Sequence, residues 1–141
     1  MTLRKALMTA AAICLTPLAA FAENENAKRF EDLDFVPQRE GSPVEMAVLW
    51  GDPANGPSGV LLKMPAGTKA PVHSHSASYR AVILEGSPSR MLDGETEPTA
   101  FGPGSYIYQP AGEYHGNAND SSEDALVLVI YDGPMDAIPK Q

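Results

Sequence analysis

Apolar residues in this chain fall in short runs, and glycine or proline closes nearly every run within a few positions. Ala125 to Tyr131, Ala-Leu-Val-Leu-Val-Ile-Tyr, carries the strongest strand signal, rich in β-branched side chains. Tyr79 to Leu84 predicts a second buried strand, turned by Glu85 to Pro88. Val44 to Trp50, Gly59 to Met64, Ser89 to Leu92 and Ser105 to Gln109 predict four more, each bounded by turn residues. Phe30 to Pro37, with Phe30, Leu33, Phe35 and Val36 as apolar positions, reads as an N-terminal strand or arm. Arg39 to Pro43 reads as a turn, Asn117 to Asp124 as a polar loop, and the tail from Met135 as irregular. No helical period of useful length follows the first 22 residues. Many short strands closed by turn chemistry predict an antiparallel sandwich or barrel.

The N-terminus follows a different pattern. Arg4 and Lys5 precede an apolar stretch from Ala6 to Ala20, and Ala20-Phe21-Ala22 has the form of a cleavage site. This is the pattern of a secretory signal peptide, with a core short of the roughly 20 apolar residues that span a bilayer. The expected folded unit is a single domain over 23–141, periplasmic or secreted, with no membrane attachment after cleavage. The only cysteine, Cys14, lies in the signal, so this unit has neither a disulfide nor a thiol nucleophile.

Charge narrows the partners. The formal net charge of −8 becomes more negative once Arg4 and Lys5 are removed. Such a surface repels phosphate backbones, which argues against nucleic acid. No polybasic run offers attachment to anionic lipid. A small molecule is the expected partner.

The candidate chemistry sits in the three histidines of the chain, His73, His75 and His115. In an extended strand, residues two apart face the same way, so His73 and His75 can point into one cavity. Tyr79 shares their parity, provided the strand resumes without a bulge. His115 must arrive on a second strand. Neutral imidazole is the commonest protein metal ligand, and three ligands leave coordination positions open for a substrate.

Both histidine segments resemble the two motifs of the cupin superfamily. Gly67, His73, His75, Tyr79 and Gly86 occupy the places of the first motif, and Gly104, Pro110, Gly112, His115 and Asn119 those of the second. The stretches Leu49 to Pro53, Gly56 to Gly59, Leu61 to Gly67 and Gly104 to Pro110 are further similar to the cupin group related to ChrR anti-sigma factors. The resemblance implies an all-β double-stranded β-helix, the cupin or jelly-roll barrel, with its core over about 44–132. It also implies a divalent metal. Tyr79 stands where the usual cupin has a glutamate ligand, which leaves His73, His75 and His115 as the metal set. Tyr79 then reads either as a substrate-facing hydroxyl or as a core aromatic. Gln109 reads as a hydrogen-bonding partner of substrate or as an exposed strand end. Glu113 is an alternative carboxylate ligand on an exposed turn.

Two functions follow from the resemblance. One is a mononuclear non-haem dioxygenase acting on a dicarbonyl-like or phenolic substrate, with Tyr79 and Gln109 orienting it. The other is a non-catalytic, metal-anchored binding or sensing module, ChrR-like and holding zinc. Imidazole ligands suit several metals; Fe(II) or Zn is expected first, then Mn or Ni. A homodimer is expected, with Phe30 to Val36 as an exchanged or edge-covering strand.

Overall fold

The strongest predicted strand lies in the middle of the larger of two sheets. The structure, a computed structural model, describes residues 27–141. The predicted signal segment and Cys14 lie outside the described residues. Eleven strands follow in chain order: β1 (Val36–Pro37), β2 (Glu45–Gly51), β3 (Ser58–Met64), β4 (Lys69–Ser74), β5 (Tyr79–Glu85), β6 (Ser89–Leu92), β7 (Thr99–Ala100), β8 (Tyr106–Gln109), β9 (His115–Ala118), β10 (Ala125–Tyr131) and β11 (Ile138–Pro139). One sheet has the order β1-β2-β3-β10-β5-β8 and the other β11-β4-β9-β6-β7. The pairings are antiparallel, so the expected jelly-roll architecture is the observed one. Among the described residues no helix is long and apolar enough to cross a membrane.

The period-two pattern of the sequence becomes the two faces of the larger sheet. Ala125, Val127, Val129 and Tyr131 of β10 turn inward with Tyr79, Ala81 and Ile83 of β5 and Val60 of β3. Ile130, out of phase with them, is exposed. Burying each large aliphatic side chain contributes about 1.5–3 kcal/mol, so this face holds most of the core. The inner face of the smaller sheet is built differently. It carries His73, Asn117 and Arg90 toward a cavity of about 450 Å³ between the sheets, with His115 buried behind them. One wall is apolar and the other polar, as a site for an organic ligand requires.

The structure departs from the sequence reading where non-local pairing decides. β9 starts at His115 and takes up Asn117 and Ala118 from the predicted polar loop, because β4 and β6 flank it and satisfy its main chain. The tail read as irregular pairs with β4, Ile138 opposite Ser74 and Pro139 opposite His73. Only Val36–Pro37 of the N-terminal arm is strand, and Phe30–Asp32 is a 3₁₀ turn. The arm covers the β2 edge of its own chain, pinned where Lys63 Nζ lies 3.6 Å from the centre of the Phe35 ring.

Candidate metal centre

Strand register brings the histidines together. His73 on β4 lies opposite His115 on β9. His75 follows just past the end of β4, two residues on and therefore on the same side. The ring centres of His73 are 4.9 Å from His75 and 4.7 Å from His115, and His75 is 5.3 Å from His115. One ring nitrogen of each can be chosen so that all lie within 4.8 Å of one another.

The outer nitrogens fix the tautomers. Each Nδ1 faces a backbone carbonyl: Pro71 for His73 at 2.7 Å, Glu113 for His115 at 3.3 Å, and Asp136 for His75. A carbonyl oxygen only accepts, so Nδ1 carries the proton and Nε2 is left as a bare lone pair. Metal-binding histidines are oriented in this way in known sites. Three neutral imidazoles with their outer nitrogens satisfied fit a divalent cation, and the donor set alone does not single out one metal.

Burial favours the neutral form of His75 and His115. It lowers the His115 pKa to about 4, with the charges of His73 and His75 adding to the effect. Burial, and then the charge of His73, also lowers His75. An unfolded imidazole titrates near 6.5. Between about pH 4 and 6.5 the unfolded chain therefore binds more protons than the folded one, and stability rises with pH. The metal-free protein is expected to lose denaturant resistance steadily from about pH 7 to about pH 5, and His115→Gln is expected to flatten that slope. An unfolding midpoint that stays level across this range in the parent protein would contradict neutral, buried imidazoles.

Tyr79 reaches the centre by a different route from the one its parity predicts. The chain bends after His75, and Tyr79 opens β5 in the opposite sheet. Its Oη donates to His115 Nε2 at 3.2 Å, and it lines the cavity. Burial raises the phenol pKa, opposed by the nearby Asn117 amide and by the charge of Arg90. Gln109 is fully buried but does not line the cavity. Its Nε2 donates to the Glu113 carbonyl at 3.0 Å, so it braces the loop that leads to His115. Glu113 stays outside the histidine group, with Oε1 accepting from Arg90 Nη2 at 3.0 Å. Sequence reasoning missed Arg90, Asn117 and Asp136. Asp136 acts through its main-chain carbonyl, which leaves no side-chain signal to find.

Known proteins carry the same frame. The ChrR cupin-like domain matches residues 23–136. The chain belongs to that family. Over 79 residues this ChrR-like cupin is 30% identical to the dimethylsulfoniopropionate lyase DddQ of Ruegeria pomeroyi, covering 56% of the chain and 38% of the lyase. The crystal structure of that lyase overlays with a TM-score of 0.55 at 24% identity, over 76% of this chain and 50% of the lyase. The chain thus spans half or less of this relative's length. The polyketide cyclase RemF of Streptomyces resistomycificus shares the fold at a TM-score of 0.63 and 24% identity, with 80% and 82% of the two chains covered. An RmlC-like cupin of Shewanella frigidimarina shares it at 0.61 and 17%, with 76% and 88% covered.

Proposed function

We propose that this cupin is a periplasmic metal-dependent enzyme of the lyase class, acting on a small organic molecule in the cavity between the sheets. The observation that carries the reading is the histidine triad with every Nδ1 held by a carbonyl, opening onto a cavity that Tyr79 lines. The similarity to a dimethylsulfoniopropionate lyase supports the reaction class, and the signal-like N-terminus supports the compartment. His73, His75 and His115 would hold the metal. A divalent cation bound there supplies Lewis acidity and fixed positive charge.

The chain's own residues do the rest. Were His115 Nε2 to hold a metal, Tyr79 Oη would lose its bond to that nitrogen and be free for substrate. A lyase removes a proton and a leaving group from adjacent carbons. Tyr79 Oη would take that proton as the phenolate, an ionisation that burial opposes and that the positive charge of a bound cation would favour, and the leaving group would depart with its bonding electrons as the double bond forms. Ile83, Val127 and Val129 wall the cavity and keep water from the reacting carbons.

The sensing alternative keeps one supporting observation. Asp136 is the only acid among the described residues that line the cavity, and its carboxylate already accepts from Ser76 N at 2.9 Å. No free carboxylate base is therefore at hand among the described residues. Assay of metal-reconstituted protein with dimethylsulfoniopropionate, β-diketones and phenolic acids, with dioxygen monitored, separates the readings. An elimination product without oxygen uptake is expected. Tyr79→Phe is expected to keep its metal and lose about 10²–10³-fold in kcat. Stoichiometric oxygen uptake would favour the dioxygenase expected from sequence. Metal-loaded protein that binds but never turns over would favour the sensor.

A further inference from the structure

The charged residues that line the cavity run against the charge of the protein. The chain carries a formal −8, yet among the described residues its cavity is lined by Arg39, Lys69 and Arg90 and by a single acid, Asp136. Cations inside an acidic protein focus a positive potential in the cleft they line. Lys69, near the mouth, is exposed and paired with Asp120 at 3.1 Å. Arg90 is different. Its side chain is only 14% exposed.

Arg90 is held from one end only. Nη2 donates to Glu113 Oε1 at 3.0 Å, and Glu113 itself is 42% exposed. The Nε of Arg90 is buried without a hydrogen-bond partner. Leaving a buried donor on a charged group unmet is costly, and Arg presents its donors as a planar fork that matches a carboxylate. Register places Asn117 directly opposite Arg90, and Asn117 also lines the cavity. Leu92, two residues on along the same strand, pairs with His115, so this polar end adjoins the metal centre. The remaining walls, Ile83, Phe101, Ile107, Val127 and Val129, are apolar.

We propose that the ligand of this cavity is a small monocarboxylate with an apolar body, and that Arg90, with Asn117 beside it, recognises its carboxylate. Glu113, Asp120 and Asp136 together balance the three cations, so recognition rests on the unmet Nε donor of Arg90 and suits a single carboxylate. The inference rests on the cavity being a small-molecule site, as proposed above, and is independent of the reaction.

Calorimetric titration of the full chain with phenylacetate and with its neutral counterpart phenylacetamide tests it, with and without zinc. Phenylacetate is expected to bind at least about tenfold more tightly in both forms, as a hydrogen-bonded charge implies. Arg90→Met is expected to erase that preference and leave zinc content unchanged. Asn117→Asp, which keeps the side-chain shape, is expected to weaken phenylacetate alone, and it serves if Arg90→Met fails to fold. Equal binding of acid and amide would overturn the proposal. So would a preference that survives Arg90→Met, or one seen only with zinc, since the cation would then be reading the carboxylate. An Arg90-dependent preference in a chain without lyase turnover refutes the reaction and leaves this assignment standing.

Discussion

His115→Ala is expected to abolish stoichiometric metal binding and to destabilise the metal-free protein as well. His115 is fully buried, where β9 lies between β4 and β6. Its loss leaves two imidazoles, so affinity should fall by more than the 10–100-fold that outer-sphere partners of a metal are worth. The same change empties a ring-sized space and removes the acceptor of the Tyr79 hydroxyl. Truncating a buried ring and orphaning a buried donor together cost about 2–4 kcal/mol. His73→Ala is the informative contrast. His73 is only half-buried and spends its Nδ1 on the nearby Pro71 carbonyl. It should lose the metal while changing metal-free stability by less than about 1 kcal/mol. Elemental analysis after zinc reconstitution, paired with urea unfolding in chelator, reads both effects. Full zinc retention in His115→Ala would remove the proposed centre.

The site was legible in the sequence as far as local geometry governs it. Period-two alternation places His73 and His75 on one side of an extended segment, and both line the cavity. The glycine and proline frame around them reads as a pair of turns on two strands, and β4 and β9 are those strands. Asn119 shows why that frame ends where it does. Its Nδ2 donates to the Met64 carbonyl at 2.9 Å and the Glu123 carbonyl at 2.8 Å, tying β3 to the loop that enters β10. The residue closes a structural join and leaves metal binding to the histidines.

What was not legible depends on register between distant strands. Tyr79 joins the histidines across the space between the sheets, so its parity with them along the chain is not the cause. Arg90 sits in Ser-Arg-Met-Leu, a run that reads only as another short strand. Only its pairing with Asn117 turns it toward the centre. A strand of two residues such as β7 has no pattern of its own, and β11 exists because β4 offers an open edge.

Gly86→Ala is expected to cost about 3 kcal/mol or more, and it links the fold to the site. Gly86 joins β5, which carries Tyr79, to β6, which carries Arg90. Its φ is +76°, a region that costs an L side chain about 1–2 kcal/mol. A Cβ there would also lie 2.6 Å from the Asp124 carbonyl oxygen and 2.8 Å from the Ala125 Cα. Both are backbone atoms at the start of β10, which cannot yield without disturbing the central strand; overpacking of this kind adds about 1–3 kcal/mol. Gly94 separates the two causes. Its φ is +89°, but nothing lies within 4 Å of the position its Cβ would take. Gly94→Ala should therefore show only the conformational part, and the difference between the variants measures the clash. In thermal melts Gly86→Ala should lower Tm by about 10 °C or more, and Gly94→Ala by less than half as much. Equal losses in the two variants would mean that β10 absorbs the methyl group. The close approach of Gly86 to β10 would then not be what sets the step from Tyr79 to Arg90.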